Sequence, residues 1–288
     1  MELATNWQDY EILGTSNGEK LERWGNIILL RPDPEVIWTQ GDLTTFKGIN
    51  AHYHRSSKGG GYWETLKSTP SSWTIDYKNL TFNIKQMGFK HTGLFPEQAV
   101  NWDFMIDKIK NSKREIKVLN LFAYTGGASV ACLSAGASVV HVDSSKGMVD
   151  WCKENVKASH LENKPIRYIV DDVVKFVQRE IRRGSKYDAI VMDPPSYGRG
   201  TNGEVWDIEK DLAPLIELCT SLLSDLPLFF LINSYTTGLS AQVLENLLLL
   251  TVGTKYPGTI TSGEIGLPVK NSQVILPCGI FGRFQSNE

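Results

Sequence analysis

The sequence predicts an α/β fold: a Rossmann-like, mostly parallel sheet over most of its 288 residues, with a small β-rich segment at the N-terminus. Three observations carry this. From Ile116 onward, strand-length apolar runs alternate with helix-length amphipathic segments, the pattern of a parallel sheet covered on both faces. IKVLNLFAYTGGAS (116–129) reads as a buried strand, a Gly-containing turn and a helix, and the next apolar run, VVHVD (139–143), ends in an acid. Residues from about 8 to 85 carry short β-forming runs broken by Pro, Gly and Asn. The expected division is a β-rich accessory segment, 1–88, and a sheet domain, 89–288.

The elements follow in chain order. WGNIILLRPDP (24–34) is a short strand stopped by prolines, which cannot donate to a ladder. HYHRSSKGGGYW (52–63) is polar and Gly-rich and reads as a loop. WTIDYKNLTFNI (73–84) reads as two strands turning at Lys78-Asn79. HTGLFPEQAVNWDFM (91–105) reads as a helix start, with Pro96 in its first turn and Glu97 near the positive dipole end. The helix after Asp143 buries Val149, Cys152 and Val156 and takes Ser144 or Ser145 as cap. YIVDDVVKFV (168–177) is a strand ending in two acids before a helix, with Asp171 the better cap of the pair. YDAIVMDPPSYGRG (187–200) is an apolar strand ending in Asp-Pro-Pro. A helix over 211–223 tolerates Pro214 only in its first turn. The strand LPLFFLIN (226–233), the helix LSAQVLENLLLL (239–250) and a tail rich in Gly and β-formers complete the chain.

The net charge of −2 argues against a protein that coats nucleic acid through bulk charge, though a local basic patch could hold a structured RNA. The four cysteines are widely spaced with no Cys-x-x-Cys pair, which points to a reducing compartment. No apolar run approaches membrane-spanning length and the N-terminus does not read as a leader, so the expected location is cytoplasmic. No His/Cys/Asp cluster has metal spacing, and no metal is expected.

Ligands of an open parallel sheet sit outside the carboxyl ends of its strands. Tyr124–Gly127, Asp143, Asp172, Asp193 and Asn233–Thr237 all fall there by sequence. Gly126 and Gly127 let backbone approach a ligand, but Tyr124 and Thr125 stand where G-x-G-x-x-G requires glycine. A pyrophosphate cradle is therefore missing, which favours S-adenosylmethionine (AdoMet) over NAD. Asp143 can accept from two vicinal ribose hydroxyls.

The segments 116–129, 168–177 and 187–200 together resemble the class I AdoMet-dependent methyltransferases. They are most similar to the bacterial ribosomal RNA large-subunit methyltransferase family that includes a cytosine-C5 enzyme, over Phe89 to the C-terminus. The resemblance implies a class I methyltransferase sheet with an antiparallel C-terminal hairpin. It implies cofactor contacts from Phe122, Tyr124, Thr125, Gly126, Gly127, Ser144 and Asp193, with Asp143 on the ribose and Asp172 on the adenine amino group. A Phe-x-x-Gln element would place Phe95 over AdoMet and Gln98 on its polar end. Catalysis would fall to Asp193 and Pro194, whose side chain and carbonyl orient an acceptor amino group, with Ser196 in the fourth position and Tyr197 as a displaced stacking aromatic. Cytosine-C5 chemistry needs a thiolate; Thr236 takes the place of the family's cysteine, leaving Cys278 as the remaining candidate. The implied substrate is an RNA base, ribosomal by resemblance, contacted by a face of basic and aromatic residues: His52, His54, Arg55, Lys58, Tyr62, Trp63, Lys85, Lys90, His91 and Arg199. Transfer to a small molecule or protein, and a non-catalytic domain binding AdoMet or RNA, are the alternatives.

Overall fold

A computed structural model describes residues 1–57, 59–200 and 203–287. The chain forms two compact units, one of residues 1–100 with 265–278 and one of 101–264 with 279–288.

The N-terminal unit is β-rich. Strands β1 (Glu2–Leu3), β2 (Tyr10–Ser16), β3 (Glu19–Trp24), β4 (Ile27–Pro32), β5 (Ala51–Arg55) and β6 (Gly61–Thr65) precede the hairpin β7 (Trp73–Tyr77) and β8 (Leu80–Ile84), which turns at Lys78-Asn79. Strands β2 to β6 form one sheet in sequence order, antiparallel except for the β4/β5 pair. The ends of the expected loop 52–63 are therefore paired strands, β5 and β6. Ala51 and Tyr53 are buried while His52 and His54 are not, an alternation of period two that the neighbouring glycines obscure. The interior holds a charged knot: Glu22 accepts from Tyr10 at 2.6 Å and from Arg31 at 2.6 and 2.8 Å. Burial would raise the Glu22 carboxyl, but Arg31 and Lys20 outweigh it and hold it at about 2.

The second unit contains α1 (Ala99–Asn111, from its third residue), β9 (Lys117–Leu121), α2 (Gly127–Ser134), β10 (Ser138–Asp143), α3 (Lys146–Ala158), β11 (Ile166–Val170), α4 (Val173–Arg182) and β12 (Ala189–Met192). It continues through the short hairpin β13 (Tyr197–Arg199) and β14 (Val205–Asp207), α5 (Ile208–Thr220), β15 (Phe229–Ser234) and α6 (Ala241–Leu250). Strands β16 (Gly258–Pro268) and β17 (Ile275–Ser286) follow; their connected ends, 265–278, belong to the N-terminal unit, where Glu2 pairs with Ile265. The sheet order is β16-β17-β15-β12-β9-β10-β11, parallel from β15 to β11, with β17 antiparallel to β15. Phe176, Leu215, Ile216, Phe230 and Ile232 are among the buried residues that cover one sheet face.

Of the two expected caps of α3, Ser145 serves, accepting from the Met148 N–H. Local details differ from expectation in two places. Asp172, not Asp171, caps α4, accepting from the Lys175 N–H at 2.9 Å, while Asp171 pairs with Arg179. Pro214 lies inside α5 because Asp207 caps that helix and starts it at Ile208. The proline sits on the exposed face, where water can satisfy the carbonyl it orphans.

Candidate cofactor and catalytic site

Strand register assembles the site, all of it within the second unit. Val142, Leu121, Met192 and Ile232 lie side by side across β10, β9, β12 and β15. The next residues, Asp143, Phe122, Asp193 and Asn233, therefore emerge along one carboxyl edge. The strand order reverses between β9 and β12, where open sheets form their ligand crevice.

The turn after β9 is bent by left-handed backbone at Phe122 (φ 52°), Tyr124 (φ 51°) and Gly126 (φ 84°). Such angles in non-glycine residues cost on the order of 1 kcal/mol each and persist where the surroundings impose them. Asp143 imposes this one: its Oδ2 accepts from the Tyr124 N–H and its Oδ1 from the Ser145 N–H, both at 2.8 Å. Burial raises the Asp143 carboxyl above its ordinary value, against the pull of those two N–H groups. Thr125 is buried and its carbonyl accepts from Asn155 at 2.9 Å, so it shapes the turn from inside. Both turn glycines answer to packing. A Cβ on Gly126 would run into Cys152 Sγ, and one on Gly127 would come within 2.8 Å of the Trp102 ring. Ser144 is exposed beside Asp143.

Asp193 is held by a directed chain of hydrogen bonds. Arg283 donates to the Asn101 side-chain oxygen at 2.7 Å, Asn101 donates to Asn233 at 3.5 Å, and Asn233 donates to Asp193 Oδ1 at 3.0 Å. Arg283, Asn101 and Asn233 are all at least 95% buried. The guanidinium is tolerated there because it lies 3.8 Å over the Phe281 ring and 4.7 Å over Phe104. Each amide accepts on one side and donates on the other, so the orientation of the last N–H is fixed.

The loop beyond Asp193 is tied on both sides. Pro194 is buried. The Pro195 carbonyl accepts from the Trp206 indole at 2.7 Å, and the Trp206 ring lies 4.9 Å from Phe122. The Pro195 carbonyl is thus committed to the fold. Ser196 Oγ bonds Thr236 Oγ1 at 2.7 Å, joining the loops after β12 and β15. Tyr197 opens β13 and is 55% exposed, the accessible aromatic beside Asp193 in sequence.

Phe95 and Gln98 lie in the N-terminal unit, at the short turn Pro96–Gln98, where the Gln98 N–H donates to the Phe95 carbonyl. Cys278 is also in that unit. Burial first, then the acids Glu97, Asp33 and Glu22, push its thiol well above its ordinary value against Lys20, and a protonated thiol is a poor nucleophile. Cys132, Cys152 and Cys219 are buried, as expected. Of the expected RNA face, Lys58 lies outside the described residues. His91 is pushed down to about 4 by burial and neighbouring cations and is neutral near pH 7. His52 and His54 are paired with acids. Tyr62 is 63% exposed. Asn101, Asn155, Trp206 and Arg283 were not singled out in the sequence. No short-range pattern marks a polar residue whose partner is, as for Asn101 and Arg283, 182 positions away.

This fold and carboxyl-edge site define an AdoMet-dependent methyltransferase, and comparison with known proteins agrees. The family described as S-adenosylmethionine-dependent methyltransferase matches residues 38–240. A crystal structure of a SAM-dependent methyltransferase from Agrobacterium tumefaciens is 33% identical with a TM-score of 0.92, covering 99% of this chain and 92% of its own. The chain belongs to the AdoMet-dependent methyltransferase family. A putative methyltransferase solved in complex with SAH shares the fold at 19% identity, with a TM-score of 0.73 over 97% of this chain and 76% of its own. The ribosomal RNA large subunit methyltransferase K/L of Syntrophotalea carbinolica is 30% identical over 178 residues, 61% of this chain and 24% of its own. The chain spans about a quarter of the length of such curated relatives.

Proposed function

We propose that this methyltransferase modifies an amino-bearing RNA base, ribosomal RNA being the leading source, and that the residues along the carboxyl edge of its sheet hold AdoMet and the acceptor. The observation that carries the reading is the anchored Asp193, oriented by Asn233 at the sheet's switch point. Asp143 would take the ribose hydroxyls, since each of its oxygens has a lone pair beyond the one given to backbone. The residues at Phe122–Gly127 would form the floor, Ser144 would flank the ribose, and Asp172, which also caps α4, would face the adenine amino group. Bound AdoMet supplies an activated methyl group, so the protein's part is alignment. Asp193 and the Pro194 carbonyl would accept the two hydrogens of the acceptor amino group, turning its lone pair toward the donor. Ser196, fixed by Thr236, sets the loop, and Tyr197 offers a ring on which a base can stack. A ring-carbon target is disfavoured: the loop after β15 carries Thr236 and no thiol. The RNA source is supported by the relatives named ribosomal RNA large subunit methyltransferase K/L, and a cytoplasmic location would follow from it. No helix of the described residues is long and apolar enough to cross a membrane.

The test is labelled methyl transfer from AdoMet to total RNA of a strain lacking the enzyme, followed by nucleoside mass spectrometry. An N-methylated base is the expected product. 5-Methylcytosine would overturn the amino-group assignment, and label in protein or small molecules but not RNA would overturn the substrate class. For the cofactor site, Asp143→Ala is expected to weaken AdoMet or SAH binding by about 1.5–3 kcal/mol, roughly ten- to a hundredfold, through loss of a charged acceptor. Unchanged affinity by calorimetry would remove Asp143 from the ribose.

A further inference from the structure

We propose that the N-terminal unit carries a divalent transition-metal site made by His52, His54 and Glu64, with Glu19 as a fourth donor. It is independent of the transfer site and of the reading given above for it. His52 and His54 are two residues apart on β5, so the period of a strand puts both on one face, opposite the buried Ala51 and Tyr53. Antiparallel pairing sets Glu64 of β6 directly across from His52. One ligating atom from each of His52, His54 and Glu64 lies within 4.8 Å of the others. Glu19 of β3 borders the set through His52, with its Oε1 2.5 Å from His52 Nε2, and Glu64 Oε2 is 2.8 Å from His54 Nε2.

Two features separate this set from ordinary surface pairs of histidine and glutamate. The two imidazoles lie against each other, with ring centroids 4.0 Å apart and planes tilted by 44°. The two carboxylates also supply the charge that neutralises a dication. The side chains lie on strands rather than on a free loop, so little ordering remains to be done on binding. Side-chain exposure rises from 12% at His52 through 27% at Glu19 and 33% at His54 to 49% at Glu64, so the cluster opens to solvent on one side and has an entry path. Two imidazole nitrogens with carboxylate oxygens suit zinc, cobalt, nickel or copper better than magnesium or calcium, which take oxygen sets. Bonds of about 2.0–2.2 Å require only that these side chains rotate inward.

Neither the sequence pattern nor the family match marks this site. His-x-His is visible in the sequence, but its segment reads as a loop, and the third donor arrives only through the pairing of β5 with β6. The experiment uses untagged full-length protein, stripped with chelator and dialysed, and titrated with Zn²⁺ by calorimetry and with Co²⁺ by absorption. We expect one saturable equivalent in the micromolar range or tighter, and a melting temperature that rises with Zn²⁺. His54→Ala, at a partly exposed position, and Glu64→Gln should each weaken binding by at least about tenfold. Metal-free melting and SAH affinity should stay as in the wild type, which shows that the fold survives. Absence of saturable binding, or Zn²⁺ affinity unchanged in His54→Ala or in His52→Ala/His54→Ala, would overturn the site.

Discussion

Asp193→Ala is expected to lose about 100-fold or more in methyl transfer at saturating AdoMet, because small misplacements are magnified in an alignment-dependent displacement. The buried chain makes the prediction sharper than loss of one carboxylate. Asn233 is 1% exposed and donates to Asp193, so the alanine variant strands a buried N–H at a cost of about 1–3 kcal/mol. A fall of a few degrees in melting temperature should accompany the loss of rate. Asp193→Asn separates the two effects. Its carbonyl can still accept from Asn233, so stability should recover while transfer stays low, since the charge that polarises the acceptor amino group is gone. Asn233→Ala should lower kcat more than it raises KM for AdoMet, as expected for a residue that acts through Asp193. The measurements are kcat and KM with RNA, SAH affinity, and thermal melting of each variant. Wild-type turnover by Asp193→Ala would reduce the Asp-Pro-Pro-Ser loop to a strand terminator.

Gly126→Ala should be the most damaging single-methyl change in the site. The residue has φ 84°, and its Cβ would meet Cys152 Sγ. Left-handed backbone costs an L-residue about 1–2 kcal/mol, and forcing a methyl into packed sulfur adds about 1–3 kcal/mol. The turn can yield only by moving Tyr124 away from Asp143, so SAH affinity should fall along with the melting temperature. Gly126→Ala/Cys152→Ala removes the sulfur and leaves the backbone penalty. It should recover part of the stability lost by the single variant. A single variant that melts and binds as the wild type does would show that the turn's geometry is not required.

The order of elements was legible because period and punctuation are local. Ile116–Ser129, Tyr168–Val177 and Tyr187–Gly200 each show a strand ending in chemistry, and parallel pairing brings those ends to one edge. Lys78-Asn79 is the hairpin turn its flanking runs imply. What stayed hidden depends on distant partners. The Gly-rich run 58–61 masked the alternation of β5 and β6. Asp172 outcompetes Asp171 as cap because Arg179, two turns along α4, draws Asp171 aside. Trp206, which occupies the Pro195 carbonyl, comes from a strand too short to announce itself.

The return of residues 265–278 to the N-terminal unit has a consequence for synthesis on the ribosome. Its residues 1–100 are made before the second unit's 101–264 and are completed only after them, since the partner of Glu2 is Ile265. At ordinary elongation rates of about 5–20 residues per second, roughly ten to thirty seconds pass between the emergence of the first hundred residues and the arrival of that closing strand. For that interval the nascent β-sheet has an incomplete neighbour, which is the condition under which chains recruit chaperones or pair with one another. The same topology means that no single cut releases a whole N-terminal unit, and that the order in which the two units mature is set by translation as much as by their own stabilities.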